Sequence, residues 1–189
     1  MAAFFTVYFW LLNHPRLPVT TVPRIFIDRM IAFEPWAVVL YVSLWPYVTL
    51  APALLTSRRE LASYAWVAVA MSIVGFGTFL LWPTAVPRPD FEVSQHPSLA
   101  ALKAVDASGN AFPSLHVAFA VFSAAWLGRL LRAMRAGGLA RAVNWLWCLG
   151  IVYSTLAIRQ HVALDAVSGA ALGAVAAAAH FRVLGPERP

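Results

Sequence analysis

Charged side chains are scarce in this sequence. Only 12% of its 189 residues are Asp, Glu, Lys or Arg, whereas 61% are hydrophobic and the mean hydropathy is +0.71. A typical soluble domain is about a quarter charged. So few charges cannot cover a soluble surface of this size, and the same composition excludes a disordered chain and a coiled coil. The sequence therefore predicts an integral membrane protein.

Cysteine and lysine are nearly absent as well. Cys148 is the single cysteine, which excludes an intrachain disulfide. The formal net charge is +6, but 13 of the 14 cations are arginines scattered between apolar segments. Because these arginines form no basic stripe, a nucleic-acid partner is not predicted. Their excess is better explained as a topology signal.

Long apolar runs dominate what is present. A helix needs roughly 20 apolar residues to cross the hydrocarbon core. Five stretches qualify or nearly do, and they are about residues 31–55, 61–82, 113–131, 142–158 and 162–181. Residues 2–12 predict a sixth, marginal span, with a helix lying in the interface as the alternative. We predict an all-α membrane bundle of five to six transmembrane helices, divided into an N-terminal partial span or interfacial segment (1–30) and a membrane-embedded core (31–189).

Arginines are distributed unevenly between the predicted loops. If the spans alternate, one side receives eight arginines and two glutamates, and the other receives six cations and six acidic residues. The positive-inside rule makes the first side cytoplasmic. The loop of residues 83–112, between the second and third spans, then faces outward. A loop of this length with little secondary structure is usually functional or disordered.

The first polar group on the outward side follows the second span. Arg88 stands between Pro87 and Pro89, which restrict the backbone on both sides. A guanidinium held in this way suits bidentate contact with phosphate oxygens. The alternative is an interfacial arginine that binds lipid headgroups.

The second group opens the third span. Pro113 suits the first helical position, which places Ser114 and His116 in the first turn. The free N–H groups and positive potential of a helix N-terminus favour an anion there. Ser114 as a simple helix cap and His116 as an interfacial histidine are the alternatives.

The third group opens the last span. His161 and Asp165 are four residues apart, so we expect them to be neighbours on one helix face. A carboxylate in an apolar helix is costly and usually paired. If Asp165 accepts the Nδ1–H of His161, the tautomer is fixed and Nε2 is free to react. The alternative is a purely structural buried pair. Further along, Gly169 and Gly173 predict a face that packs closely on another helix.

Together the three groups predict phosphoryl transfer through a histidine nucleophile. His161 attacks phosphorus, Asp165 stabilises the developing imidazolium, and His116 protonates the leaving oxygen. Arg88, Ser114 and backbone amides hold the equatorial oxygens. A metal site formed by the two histidines and the carboxylate is the alternative. It is disfavoured because Arg88 would repel a cation, and no cofactor is predicted.

These residues resemble the motifs of the type 2 phosphatidic acid phosphatase superfamily of membrane lipid phosphatases. Its first motif is a Lys separated by six residues from Arg-Pro, and its second is Pro-Ser-Gly-His. The third is Ser-Arg, five residues, His, three residues and Asp. The matching positions here are Arg-Pro at 88–89, Pro-Ser-Leu-His at 113–116, and Ser154, His161 and Asp165.

Three positions depart from that pattern. Leu81 stands at the Lys position, Leu115 at the Gly position and Thr155 at the Arg position. The second-motif form and the absent arginine look more like the branch that contains inositol phosphorylceramide synthases. Arg159, two residues before His161, is predicted to replace one missing phosphate ligand, with a headgroup-facing charge as the alternative.

The resemblance extends over about residues 31–182 and implies a six-helix core with the catalytic roles given above. The predicted activity is hydrolysis of phosphomonoester or diphosphate groups of membrane lipids through a phosphohistidine intermediate. A lipid phosphotransferase with the same residues is the first alternative, and a non-enzymatic lipid-binding or transport protein is the second. The predicted partners are a lipid phosphate and the bilayer. The predicted location is a bacterial-type plasma (inner) membrane, with the site on the extracytoplasmic face.

Overall fold

The structure, a computed structural model, describes residues 2–89, 92–105 and 110–184. Two parts of the predicted long loop, residues 90–91 and 106–109, lie outside the described residues. So do residue 1 and residues 185–189, at the outer ends of the two predicted regions. The helices are α1 (Ala2–Asn13), α2 (Phe26–Met30), α3 (Val38–Val42), α4 (Leu44–Leu54), α5 (Arg58–Leu81), α6 (Pro97–Val105), α7 (Leu115–Ala133), α8 (Gly138–Ala157) and α9 (Ala163–Leu184). Short 3-10 helices cover Pro35–Ala37 and Val93–Gln95, and the strands are β1 (Thr20–Thr21) and β2 (Thr84–Ala85).

Four helices within the described ranges are long and apolar enough to cross a membrane. They are Pro35–Leu54, which joins a 3-10 turn to α3 and α4, and the helices α5, α7 and α9. An all-α membrane protein is therefore supported, but the predicted count of five to six spans is not confirmed. The 20-residue α8 occupies the predicted fourth span and contains Arg141 and Asn144, and it is not one of these four helices. The 12 residues of α1 extend only about 18 Å.

The backbones of α7 and α9 are in direct contact. A Cβ atom added at Gly169 would overlap the carbonyl oxygen of Ser114, and one added at Gly173 would overlap that of Ala118. The backbone N–H of Ser114 also donates to the carbonyl of Asp165 at 3.1 Å. The predicted close-packing face is therefore confirmed, and it fixes the start of α7 against the start of α9.

A buried polar contact joins three of the helices in the bundle. The Tyr47 hydroxyl of α4 donates to Asn144 Oδ1 of α8 at 2.7 Å. Asn144 Nδ2 in turn donates to the Ala124 carbonyl of α7 at 3.0 Å. Because each polar group finds a partner, Asn144 is accommodated inside an otherwise apolar bundle.

The predicted long loop carries more secondary structure than expected. Its strand β2 pairs in parallel with β1, with Thr20 opposite Thr84. Its helix α6 buries Leu99 completely among residues of α3 and α8. Lys103 of α6 donates to the carbonyl of Arg159 at 3.4 Å. Helix α6 of the loop is therefore packed over the connection between α8 and α9.

Candidate active site

The connection between α8 and α9 carries His161. Asp165, in the first turn of α9, is fully buried, and its Oδ2 accepts a hydrogen bond from the Val162 N–H at 3.0 Å. The same oxygen lies 3.4 Å from His161 Nδ1. The predicted contact between these side chains is therefore present, although Nδ1 makes no hydrogen bond at this separation. His161 makes it from the segment that precedes the helix, because α9 begins only at Ala163.

The start of α7 lies two residues later than predicted. Ser114 is the N-cap, and its side chain accepts from the Val117 N–H at 3.2 Å. The helix begins at Leu115, so Pro113 lies before the cap and does not occupy the first helical position. Serine is among the residues preferred at an N-cap, which explains the shift. His116 lies in the first turn, as predicted.

The ring of His116 is oriented by α3. It stacks on Tyr41, with ring centroids 3.9 Å apart and planes 12° apart. The Tyr41 backbone also hydrogen-bonds to the imidazole, and His116 and His161 both line the cavity described below. His116 Nε2 is buried and has no hydrogen-bond partner. One ring nitrogen therefore remains available beside His161.

Both histidines line one cavity of about 560 Å³, enclosed mainly by α1, α4, α5 and α7. Beside them Asn110 adds a further polar group, and its Nδ2 donates to the Tyr8 carbonyl at 3.2 Å. The rest of the wall is mostly apolar and aromatic, and it includes Trp45, whose ring stands edge-on to His116 with centroids 6.4 Å apart. The cavity thus combines a polar end with an apolar interior.

Buried polar atoms without a hydrogen-bond partner gather at this polar end. Among the described residues, three of the five such side-chain atoms are His116 Nε2, His161 Nδ1 and Asp165 Oδ1. Buried polar groups are normally hydrogen-bonded, and exceptions often mark functional sites. Within the same ranges, no group of three His, Cys, Asp or Glu side chains is placed to hold a metal ion.

Arg88 follows β2, and its side chain is exposed. Its carbonyl accepts a hydrogen bond from Arg24 Nη2 at 2.9 Å. Thr84 ties β2 to the entry of α7, because its Oγ1 accepts from the Phe112 N–H at 2.8 Å. Arg88 is not one of the described residues that line the cavity. Its phosphate contact therefore stays a prediction.

The guanidinium of Arg159 is engaged on the side of α2. Its Nη1 donates to the Asp28 carbonyl at 3.0 Å, and its Nη2 donates to the Ile31 carbonyl at 2.8 Å. The residue adopts a left-handed backbone with φ of 57°. The structure thus places Arg159 next to the His161 segment but directs both nitrogens to main-chain oxygens. Its predicted phosphate contact also stays a prediction.

Sequence reasoning missed two residues near the site, Arg24 and Asp28. Asp28 is only 3% exposed, and its Oδ1 accepts from the Ala163 N–H at 2.7 Å. An acidic residue in the apolar segment before the first long span was the available signal, since such residues are rarely buried without a partner. Its partner lies 135 residues away in the sequence, so the pairing itself could not be inferred.

The fold and the site define a mainly helical, membrane-type protein with two histidines, one beside a buried carboxylate, at the polar end of an apolar cavity. The family model for the PAP2 superfamily matches residues 61–188, more than half of the chain, and the chain belongs to that superfamily. This superfamily generally comprises phosphatases, so the activity is of the phosphatase type and acts on phosphate esters. The synthase-like branch stays a prediction. Searches of curated proteins and of solved structures gave no match.

Proposed function

We propose that this protein hydrolyses phosphomonoester or diphosphate groups of membrane lipids through a phosphohistidine intermediate. The observation that carries the proposal is the cavity, whose polar end holds His116 and His161 and whose wall is otherwise mostly apolar. Three of its four main walls are helices that belong to the apolar, span-length segments. A lipid phosphate fits such a cavity, because its phosphate group suits the polar end and its hydrocarbon chain suits the apolar wall.

The reaction begins at His161. Its Nε2 attacks phosphorus, a P–N bond forms, and the P–O bond to the lipid breaks. Asp165, 3.4 Å from Nδ1, stabilises the positive charge on the ring. His116 gives a proton to the leaving oxygen and then accepts one from the water that attacks the phosphohistidine. Inorganic phosphate leaves, and both histidines return to their starting states.

The phosphate oxygens need donors around them. The Ser114 hydroxyl accepts a hydrogen bond from Val117 and still has its own proton to donate. The first N–H groups of α7 have no partner within the helix, and they favour an anion at this end. Arg88 supplies a positive charge from its exposed side chain. These donors stabilise the charge that develops as the P–O bond breaks.

A lipid phosphotransferase is the second candidate. Thr155 stands at the position of the third-motif arginine, and its hydroxyl donates to the Val152 carbonyl at 2.8 Å in the last turn of α8. Leu115 at the second-motif glycine position is also buried. Both departures are those that resemble inositol phosphorylceramide synthases. In that case a lipid or sugar hydroxyl would replace water in the second step.

The location follows from the positions of the charges. Ser114, His116 and His161 lie at one end of α7 and α9, whereas Arg129 and Arg182 lie towards the other end. With the arginine-rich end in the cytoplasm, the site faces outward. We therefore place the protein in a bacterial-type plasma membrane, with catalysis on the extracytoplasmic side and α8 returning the chain across the bilayer.

Purified protein is expected to release inorganic phosphate from lipid phosphates or diphosphates and to remain active in a metal chelator. Vanadate should inhibit the reaction because it mimics phosphorus under attack. Thin-layer and phosphate assays with a panel of lipid phosphates, each with and without alcohol acceptors, provide the measurement.

Each outcome of this panel separates the candidates. Free phosphate without transfer supports the phosphatase, whereas phosphorylated acceptor in place of free phosphate identifies the phosphotransferase. Binding of lipid phosphates with neither product would leave the lipid-binding or transport function and would contradict the proposed chemistry. Loss of activity in the chelator, restored by a divalent metal, would support the metal alternative.

Filling the apolar part of the cavity should affect lipid substrates selectively. Ala68 of α5 lines the cavity, whereas Ala65 is exposed on the same helix and does not line it. Ala68→Phe is expected to raise KM for a long-chain lipid phosphate about tenfold, which corresponds to about 1.4 kcal/mol. Hydrolysis of p-nitrophenyl phosphate, which has no hydrocarbon chain, should change less than about twofold.

Ala65→Phe is the matched control and should leave both substrates unaffected. Equal loss of both substrates in Ala68→Phe, with the control unchanged, would show that the cavity does not accommodate the hydrocarbon chain.

A further inference from the structure

A short helix near the N-terminus holds the segment that carries His161. We infer that Asp28 of α2 and Arg159 are positioning residues that fix His161 for attack. The inference rests on the proposed function, because it takes His161 to be the nucleophile. Asp28 lies outside the span of residues 61–188 that matches the family, so no family motif assigns it a role.

Asp28 connects α2 to the start of α9. Its Oδ1 accepts from the Ala163 N–H at 2.7 Å, and its Oδ2 accepts from the Ile25 N–H at 2.8 Å. Hydrogen bonds from N–H groups to an ionised carboxylate are stronger than those between neutral groups. The positive end of the α9 dipole adds to the attraction. Ala163, the first residue of α9, is therefore anchored to α2.

Arg159 makes the reciprocal connection on the other side of the nucleophile. Its two terminal nitrogens donate to the carbonyls of Asp28 and Ile31, at the C-terminal end of α2. The last carbonyls of a helix have no partner within it, so they are available for such a fork. His161 thus lies between two residues, 159 and 163, that are both bound to the same short helix.

The accuracy of this placement matters for the chemistry. His161 must keep Nδ1 beside Asp165 and at the same time present Nε2 to phosphorus. A displacement of about 1 Å in a reacting group can cost on the order of 10²-fold in rate. His161 precedes α9, and its own N–H donates to the Thr155 carbonyl of α8 at 3.0 Å. The contacts with α2 add a constraint on each side of that single hydrogen bond.

The test compares kcat and KM for Asp28→Ala, Asp28→Asn and Arg159→Lys, using a lipid phosphate that the unsubstituted protein hydrolyses. We expect kcat to fall between about tenfold and about 100-fold, with KM within about twofold. Asp28→Asn should lose less than Asp28→Ala, because its amide oxygen can still accept one of the two hydrogen bonds. Arg159→Lys should lose kcat although it keeps its charge, because an ammonium group cannot span two carbonyls.

Two inhibitors separate positioning from general structural damage. Inorganic phosphate binds without forming a bond to His161, so its inhibition constant should stay within about twofold. Vanadate requires the imidazole in the attacking position, so its inhibition constant should rise in parallel with the loss of kcat. Glu34→Gln and Arg29→Ala, at other charged positions close to Asp28 in the sequence, are the matched controls and should leave kcat, KM and both inhibition constants unchanged.

The results distinguish this inference from the proposed function. If Asp28→Ala does not give folded protein, Asp28→Asn carries the test. Unchanged kcat in folded Asp28→Asn and Arg159→Lys, with His161→Ala inactive, overturns the positioning role alone. A rise in KM and in the phosphate inhibition constant of Arg159→Lys, with kcat unchanged, overturns it in favour of a direct phosphate ligand. Full activity of His161→Ala overturns the proposed mechanism and this inference together.

Discussion

Replacing His161 by alanine is expected to abolish turnover, with a loss of at least about 10⁴-fold in kcat. The alanine variant has no group that can attack phosphorus, and water alone would have to react without the covalent step. The measurement is phosphate release from the lipid substrate, together with acid-quenched labelling of the protein by a phosphate-labelled substrate. Unsubstituted protein should carry label, and the variant should carry none.

His116→Ala should behave differently, because a general acid matters most when the leaving group is poor. Its loss should be large for a lipid alkoxide and much smaller for p-nitrophenolate. His14 is exposed at the end of α1, where its ring contacts the Trp10 carbonyl, and His14→Ala is the control for loss of a histidine. Substantial turnover or labelling in purified His161→Ala would show that another residue is the nucleophile.

Introducing a methyl group at Gly169 is expected to cost both stability and activity. The new Cβ would overlap the Ser114 carbonyl oxygen, so α7 and α9 would have to move apart. Overpacking of a tight contact typically costs about 1–3 kcal/mol. The shift also separates Ser114 from Asp165, whose backbones are hydrogen-bonded at 3.1 Å. We expect Gly169→Ala to lower Tm in detergent and to reduce kcat by about tenfold or more.

Two further glycines provide the comparison. Gly173→Ala meets the Ala118 carbonyl one turn further from the site, so it should lower Tm similarly but reduce kcat less. A Cβ atom added at Gly77 of α5 would meet only open space. Gly77→Ala should therefore be neutral or slightly stabilising, because alanine favours a helix. An unchanged Tm for Gly169→Ala would contradict the close contact of the two backbones.

Features that depend on local sequence could be predicted. The apolar runs locate the long helices, and the spacing of Gly169 and Gly173 identifies the close-packing face. The four-residue spacing brings His161 to Asp165, even though His161 itself lies before the helix. In each case the informative residues are a few positions apart in the sequence, so local geometry is enough to relate them.

Features that depend on distant pairing could not be predicted. The partner of Asp28 is 135 residues away, and nothing in the local sequence indicates which N–H the carboxylate will accept. Arg159 is predicted to bind phosphate only because it is two residues from His161 in the sequence. The structure shows main-chain carbonyls of α2 within reach of the same guanidinium.

Short elements and marginal hydropathy account for the remaining differences. The strands β1 and β2 have two residues each, which is too few for an alternating pattern to be visible. The polar residue Asn144 lowers the apolar character of α8, although its hydrogen bonds to Tyr47 and Ala124 satisfy it inside the bundle. A hydropathy scale gives a polar residue the same value whether or not its side chain is hydrogen-bonded inside the protein.

The hydrogen bond between the Ser114 N–H and the Asp165 carbonyl has a consequence for redesign of this protein. It joins the start of α7, which carries His116, to the start of α9, which follows His161 directly, so neither histidine can be repositioned without the other. A change of substrate range must therefore come from parts that border this pair without belonging to it, such as α1 and α6. Exchanging those segments between related sequences offers a route to new lipid preferences with the reactive groups left in place.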